Sequence, residues 1–203
     1  MDTGHFDQAA GAWDLEARRV ALAQGVAGAI QERIPLSRAM DVLDFGCGTG
    51  LVTLALAPLV GTITGADTSP GMLQVLSEKV AAASIAVALR PLDGSAGLAL
   101  GGPYHLIVSS MTLHHVADVP GLFHRFAAHL HPGGQVALAD LDAEDGSFHD
   151  GVPGVHHLGF RRDQVMGWLE AAGFLEIRLE TAVVTRKGDK DYPVFLASGR
   201  SAQ

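Results

Sequence analysis

The chain has 203 residues, of which 48% are hydrophobic and 18% are charged, and this balance excludes a disordered polar chain. The formal net charge is −8 and the 14 Lys and Arg residues are scattered, so we expect no nucleic-acid partner. The single cysteine forms no intrachain disulfide and residues 1–10 lack a signal peptide, so we expect a cytoplasmic protein. Glycines interrupt the uncharged stretch 45–66, so we expect no membrane partner.

Helical and strand patterns alternate along the chain, which predicts an α/β domain with a mostly parallel sheet between helices. Pro35 ends the first helix, because proline disfavours a helical residue before it. The predicted helices cover 15–33, 51–59, 70–83, 119–130 and 161–172. The predicted strands cover 41–45, 62–66, 85–90, 105–109, 135–140, 175–185 and 192–198.

The last two predicted strands are joined only by residues 186–191. A parallel crossover needs a dozen or more residues, so we expect this pair to be antiparallel. We expect a single domain over 1–203. Its parts are an N-terminal lid and helix (1–34), a cofactor-binding core (40–140), a substrate-side connection and helix (141–172) and a C-terminal hairpin (173–203).

Glycines follow the first predicted strand in Asp44-Phe45-Gly46-Cys47-Gly48-Thr49-Gly50. Bare backbone at a strand-to-helix turn lets an adenosine-containing cofactor lie near a helix N-terminus. Gly50 comes one residue too early for the dinucleotide pattern G-x-G-x-x-G, and the Asp44 carboxylate would repel a pyrophosphate. The same carboxylate can accept a hydrogen bond from the ammonium of a methionine moiety, which favours S-adenosylmethionine. A tight turn without a ligand is the alternative. The predicted contacts are Asp44, Gly46, Cys47 and Gly48.

A second acidic position ends the next predicted strand, about twenty residues after the glycine loop. We expect Asp67 to accept hydrogen bonds from ribose hydroxyls there, with a helix N-cap as the alternative. Thr68 and Met72 belong to the same predicted cofactor-binding segment. Asp93 and Gly94 follow the third strand and are expected beside the adenine amino group, with a simple Asp-Gly turn as the alternative.

These segments resemble the class I methyltransferase family, in particular its small-molecule branch with the quinone-biosynthesis methyltransferases. The resemblance covers roughly residues 40–140 and includes Ile107-Val108-Ser109-Ser110-Met111-Thr112-Leu113-His114-His115-Val116 and Leu130-His131-Pro132-Gly133-Gly134. It implies a Rossmann-like three-layer sandwich whose seven-stranded, mostly parallel sheet has an antiparallel last strand. His105 departs from the family, which usually has an acidic residue at this structural position. The cofactor contacts that the resemblance implies are Gly46, Gly48, Asp67, Asp93 and Ser109 or Ser110.

Histidines are concentrated after the fourth and fifth predicted strands, where substrates approach such sheets. If the acceptor loses a proton on methylation, one histidine can act as the base, and we predict His157 or His114. A structural role is the alternative for each. Asp140 and the acidic residues after it match no metal signature, so we expect no metal.

Phe6, Trp13 and Asp14 precede the first helix. In resembling methyltransferases this segment folds over the cofactor as a lid, and an apolar anchor for the helix is the alternative. Residues 109–112 lack the Asn/Asp-Pro-Pro-aromatic signature of enzymes that methylate bases or amides, which, with the acidic charge, predicts a small-molecule acceptor. A non-catalytic module that binds S-adenosylmethionine and a nicotinamide-dependent oxidoreductase are the competing hypotheses. The sequence does not predict the oligomeric state.

Overall fold

A computed structural model describes residues 4–93 and 99–202 of the chain. These residues form seven strands, β1 (Asp41–Phe45), β2 (Thr62–Asp67), β3 (Ala88–Pro91), β4 (Tyr104–Ser110), β5 (Leu130–Leu141), β6 (Phe174–Lys187) and β7 (Lys190–Ser201). The strands lie in one sheet in the order β3-β2-β1-β4-β5-β7-β6. Strand β7 is antiparallel to both β5 and β6, and the four other described strand pairs are parallel. The predicted α/β fold with an antiparallel last strand is therefore confirmed.

Helices connect the parallel strands and begin at local signals in the sequence. Ser69 Oγ accepts a hydrogen bond from the Met72 N–H at 3.1 Å, and Asp118 Oδ1 accepts one from the Gly121 N–H at 2.9 Å. Each cap satisfies an N–H group that has no acceptor within its own helix. The helices are α1 (Gly4–Ala9), α2 (Ala17–Arg33), α3 (Leu51–Leu56), α4 (Pro70–Ala83), α5 (Val119–Ala128) and α6 (Arg162–Ala171).

Several predicted boundaries differ from the structure. Strand β3 begins at Ala88, later than predicted, because the Ile85 N–H still bonds to the Val80 carbonyl at the end of α4. Strand β5 begins at Leu130, earlier than predicted, because a bulge opposite β4 accommodates the segment with Gly133, whose φ is +72°. Helix α3 ends at Leu56, and its last predicted turn is a 3₁₀ helix (Ala57–Leu59).

The sheet is buried on both faces, as a parallel sheet between two helical layers requires. Val42 in β1 packs in a cluster with residues of α2 and α3, whereas Leu43 packs in a cluster with residues of α5 and α6. Both side chains are 0% exposed. The predicted three-layer sandwich follows from this alternation, and it fixes the carboxyl ends of β1, β2, β4 and β5 at one edge of the sheet.

The length and hydrophobicity of the described helices decide whether any of them could span a membrane. None of them is both long and apolar enough to cross a bilayer. The longest, α2, has 17 residues and contains three arginines in ARRVALAQGVAGAIQER. The structure thus offers no membrane-spanning helix within residues 4–93 and 99–202.

Candidate active site

The loop after β1 has a conformation that glycine adopts most readily. Gly46, Gly48 and Gly50 have φ angles of +72°, +54° and +83°, in the left-handed region. A Cβ atom on Gly46 would lie 2.2 Å from Cγ2 of Thr112, so a side chain at that position would clash. The chain therefore presents bare backbone where β1 turns into α3.

Asp67, at the end of β2, is bonded to this loop. Its Oδ2 accepts a hydrogen bond from the Gly48 N–H at 2.8 Å, and its Oδ1 accepts one from the Ser69 N–H at 2.8 Å. Burial raises the pKa of Asp67, and the two backbone donors oppose that rise. Each carboxylate oxygen keeps room for a further donor. Asp67 can therefore hold the loop in place and still accept a ribose hydroxyl.

Asp44 lies one residue before the end of β1 and is 1% exposed. Its Oδ2 accepts a hydrogen bond from Thr53 Oγ1 at 2.5 Å. Burial raises the pKa of Asp44 to about 7; the hydrogen bond from Thr53 opposes this rise, and the neighbouring carboxylate of Asp67 adds to it. Burial also raises the pKa of the Cys47 thiol, which keeps the thiol protonated. A cation bound beside Asp44 would stabilise its charged form.

Two carboxylates fasten the N-terminal segment over the glycine loop. Asp7 Oδ1 accepts a hydrogen bond from Ser69 Oγ at 2.5 Å and another from a backbone N–H in the first turn of α4 at 2.9 Å. Asp14 Oδ1 accepts a hydrogen bond from Thr49 Oγ1 at 2.6 Å, and Asp14 forms an ion pair with Lys79. The segment is thus bonded at two separate points to elements that surround the loop.

Aromatic side chains of the same N-terminal segment lie on the side of the site where His115 follows β4. The Phe6 ring lies edge-on to the His115 ring, with centroids 5.0 Å apart, and 5.9 Å from the Trp13 ring. The Arg19 guanidinium lies 3.8 Å from the centroid of the Trp13 ring, within the range of a cation–π contact. The N-terminal segment therefore covers the site with apolar surface.

These elements enclose a cavity of about 780 Å³. Its wall runs from the glycine loop to the histidines after β4 and β5, and part of it comes from the N-terminal segment. Of the predicted cofactor-binding residues, those that line it are Asp44, Gly46, Cys47, Gly48, Asp67, Thr68, Met72 and Ser110. The sequence-predicted residues are thus brought together with the predicted base His114, which also lines the cavity.

Three predicted site residues that the structure describes are not part of the cavity wall: Ser109, Asp93 and His157. Ser109 is fully buried, and its Oγ donates a hydrogen bond to a carbonyl of β1 at 2.8 Å. His157 Nε2 lies 3.0 Å from the carbonyl oxygen of Val116. Gly94 lies outside the described residues. The geometry therefore favours His114 over His157 as the base.

A buried pair links the loop after β4 to the end of β5. His114 Nδ1 lies 2.7 Å from Asp140 Oδ1, and the His114 backbone N–H donates to Asp140 Oδ2 at 3.2 Å. Burial by itself would raise the pKa of Asp140, but the charge and hydrogen bond of His114 outweigh it and lower that pKa. An ionised Asp140 accepts the Nδ1 proton, which leaves the lone pair of a neutral His114 on Nε2.

Two further imidazoles surround His114. The ring centroids of His115 and His149 lie 4.2 Å and 4.5 Å from that of His114. Burial, with His114 as a second cause, lowers the pKa of His115 to about 4 and also lowers the pKa of His149. His149 Nε2 is buried and has no hydrogen-bond partner among the described residues. Both rings are therefore neutral at neutral pH, and His149 can bond to a ligand.

The part that Asp140 plays in this arrangement was not predicted from the sequence, where Asp140 stands only among acidic residues that match no metal signature. The spacing between positions 114 and 140 carries no signal, because the two residues meet through the pairing of β4 with β5. The adjacency of β4 and β5 in the sheet is what places the carboxylate beside the histidine.

Comparison with known proteins identifies the family. Residues 16–178 match the model of a methyltransferase domain. An uncharacterized methyltransferase of Schizosaccharomyces pombe is 30% identical over 149 residues, which are 66% of this chain and 52% of that protein. A ubiquinone biosynthesis O-methyltransferase of Methylobacterium nodulans is 29% identical over 136 residues, 67% of this chain and 51% of that protein. The chain spans about half the length of these curated relatives.

A solved structure agrees with the fold over nearly the whole chain. It is an S-adenosylmethionine-dependent methyltransferase from Clostridium acetobutylicum, with a TM-score of 0.74 and 14% identity, and it covers 98% of this chain and 99% of its own. The predicted class I methyltransferase fold is confirmed. The chain belongs to the methyltransferase domain family.

Proposed function

We propose that the chain transfers a methyl group from S-adenosylmethionine to a hydroxyl group of a small-molecule acceptor, with His114 as the general base. The observation that carries this proposal is the buried pair of His114 and Asp140, whose histidine lines the same cavity as the glycine loop. The name of the Methylobacterium relative, an O-methyltransferase of ubiquinone biosynthesis, supports oxygen as the methylated atom.

The cofactor half of the cavity suits the three parts of S-adenosylmethionine. Asp67 accepts hydrogen bonds from the ribose hydroxyls, and the Asp44 carboxylate attracts the ammonium of the methionine moiety. Asp93 and Gly94 follow β3, next to Leu92 in the cavity wall, and are proposed beside the adenine. The backbone of the loop lies against the cofactor because its glycines leave room. The remaining proposed contacts are Gly46, Cys47, Gly48, Thr68, Met72 and Ser110.

Methyl transfer from a sulfonium is an in-line displacement, in which the acceptor oxygen attacks the methyl carbon as the carbon–sulfur bond breaks. The reaction gains most from holding the oxygen near attack distance. The proton of the hydroxyl passes to Nε2 of His114. Asp140 holds the ring by its Nδ1 proton and stabilises the imidazolium that forms, as the carboxylate of a catalytic triad does.

The acceptor half of the cavity is partly apolar and partly basic. The Arg18 guanidinium lies 5.2 Å and the Lys187 ammonium 6.0 Å from the centroid of the Phe148 ring. Phe6 and Trp13 close the opposite side. This wall favours a flat, partly apolar acceptor, and the unpartnered Nε2 of His149 can bond to a second polar group on it. The net charge of −8 argues against nucleic acid as the acceptor.

The test combines binding with a labelled-methyl assay. Titration calorimetry should show binding of S-adenosylmethionine and none of NAD, and the reverse would exclude the proposed cofactor. The protein and labelled cofactor are then incubated with two sets of compounds. The first set contains phenols and enols, and the second contains anilines and thiols with rings of the same size. We expect label in the hydroxylated members alone. Labelled amines or thiols would assign another acceptor atom, and binding without any methylation would favour the non-catalytic module.

A further inference from the structure

A second cluster of chemically active side chains lies at the opposite edge of the sheet from the cavity. Asp41 is the first residue of β1, His105 is the second of β4, and His131 is the second of β5. These three strands are neighbours in the sheet. We propose that Asp41, His105 and His131 form a binding site for a divalent transition-metal ion such as Zn²⁺.

The three side chains converge closely enough to share one ion. One ligand atom from each lies within 4.8 Å of the other two. The rings of His105 and His131 are tilted by 38° with centroids 4.3 Å apart, and His105 Nδ1 lies 3.7 Å from Asp41 Oδ2. Small shifts of the side chains bring such atoms to the roughly 2.0–2.2 Å from zinc that imidazole and carboxylate ligands adopt.

Hydrogen bonds already orient two of the proposed ligands. Asp41 Oδ1 accepts a hydrogen bond from Thr62 Oγ1 at 2.6 Å, which fixes the carboxylate and leaves Oδ2 toward His105. The Asp41 backbone N–H donates to His105 Nδ1 at 3.0 Å, so this nitrogen carries a lone pair and not a proton. A metal ion uses this lone pair once the His105 ring, which is 40% exposed, turns away from the N–H.

The ligand set decides which ions fit. Two imidazoles with one carboxylate suit zinc, cobalt, nickel and copper, whereas magnesium and calcium favour sites made of oxygen. Three protein ligands leave a fourth position of a tetrahedral ion to water. The side chains of His105 and Asp41 are 40% and 47% exposed, so an ion can enter without opening the fold.

The site is separate from the proposed methyl transfer. Asp41 and Asp44 are three residues apart in β1, which places them roughly 10 Å from each other along the strand. An ion at Asp41 therefore ties β1, β4 and β5 together at the far edge and contacts nothing in the cavity. Because it binds the folded chain, it should also raise the melting temperature.

The experiment uses the untagged chain after removal of metals with EDTA. Calorimetry with ZnCl₂ should show one saturable site, and Co²⁺ should give the visible absorption of a tetrahedral complex. His105→Ala and His131→Ala should each weaken zinc binding by more than about 100-fold, and Thr62→Val by about 10- to 100-fold, the range for losing an outer hydrogen bond. Binding of S-adenosylmethionine should stay the same in all three.

Two control variants separate this site from other histidines. His124→Ala changes an exposed residue of α5, and His149→Ala changes the histidine of the cavity; both should keep zinc binding. The proposal is overturned if no saturable binding occurs, or if His149→Ala abolishes binding while His105→Ala and His131→Ala retain it. Melting temperatures of the variants without metal show whether each one is folded.

Discussion

The imidazole of His114 and the carboxylate of Asp140 form a fixed pair at the junction of β4 and β5. Two contacts join them, the Nδ1 to Oδ1 contact of 2.7 Å and the backbone hydrogen bond of 3.2 Å. The side chains are 4% and 0% exposed, so neither can turn away into solvent. The His114 carbonyl also accepts hydrogen bonds from the N–H groups of His156 and His157 at 2.8 Å and 3.2 Å, which ties the connection before α6 to the same point.

Replacing His114 by alanine tests its proposed part as the base. We expect His114→Ala to lower kcat by about 10²- to 10⁴-fold, because that is the usual contribution of a positioned general base. The dissociation constant for S-adenosylmethionine should stay within about twofold, since the cofactor contacts lie on other residues. His124→Ala is the matched control. Rates of labelled-methyl transfer and calorimetry decide the question, and full turnover in His114→Ala would assign the base elsewhere or show that none is needed.

Asp140→Asn tests whether the carboxylate acts through His114. The amide cannot stabilise an imidazolium as a carboxylate does, and it can favour the wrong tautomer of the ring. We expect a large loss in kcat with little change in the KM for the cofactor. The pH profile of kcat should also shift, a change that a merely structural part for Asp140 would not produce. A variant with wild-type kcat and an unaltered profile contradicts the proposed part.

Asp67→Ala tests the proposed contact to the ribose. The substitution removes charge-assisted hydrogen bonds worth about 1.5–3 kcal/mol, so affinity for S-adenosylmethionine should fall by roughly 10- to 150-fold. Part of this loss comes from the loop, because Asp67 also holds the Gly48 N–H. Asp163→Ala, which removes an exposed carboxylate on α6, is the control. Calorimetry provides the measurement, and an unchanged dissociation constant would remove Asp67 from the site.

Local signals explain which parts of the fold could be predicted from the sequence. Strand β1 and helix α4 have the predicted bounds, because Ser69 before Pro70 starts the helix and the apolar strand leads directly into the glycine loop. The hairpin of β6 and β7 followed from the length of its connection. The start of β5 could not be predicted, because its bulge depends on the register against β4.

In the candidate site, too, features set by local sequence could be predicted, whereas features set by distant contacts could not. The glycine loop and Asp67 each follow a predicted strand of a parallel sheet, and the structure brings them to one cavity. The histidines could be assigned to an edge of the sheet but not ranked, because their rings turn according to contacts from distant segments. The carbonyl of Val116 holds His157 Nε2, whereas Asp140 holds His114 Nδ1. Neither partner is close to its histidine in the sequence.

Asp14 tests the proposed lid. Asp14→Asn removes the ion pair with Lys79 and weakens the hydrogen bond from Thr49 Oγ1. Partly exposed pairs of this kind contribute up to about 1 kcal/mol, so we expect cofactor dissociation to accelerate by up to about fivefold. Trp13 fluorescence in a Trp168→Phe background reports the movement. An equal dissociation rate in the wild type and the variant would favour an apolar anchor for α2 instead of a lid.

The raised pKa of Asp44 predicts how cofactor binding depends on pH. Burial raises that pKa to about 7, so below pH 7 most of the free protein has a neutral carboxyl at this position. The ammonium of S-adenosylmethionine favours the charged carboxylate, so binding must release the proton. Affinity should therefore increase as the pH rises from 5.5 to 7, by at most about tenfold per pH unit. His115, whose pKa lies near 4, stays neutral across this range and does not contribute.

Asp44→Asn should abolish this pH dependence, because the amide has no proton to release and can still accept the hydrogen bond from Thr53 Oγ1. Calorimetry in two buffers of different ionisation enthalpy measures the proton directly. For the wild type near pH 6.5 we expect about three quarters of a proton released per cofactor bound, because a carboxyl with a pKa of about 7 is protonated to roughly that extent, and for Asp44→Asn close to none. Asp163→Asn, an exposed acidic position on α6, should behave as the wild type. An identical slope of affinity with pH in the wild type and Asp44→Asn would mean that the ammonium lies away from Asp44.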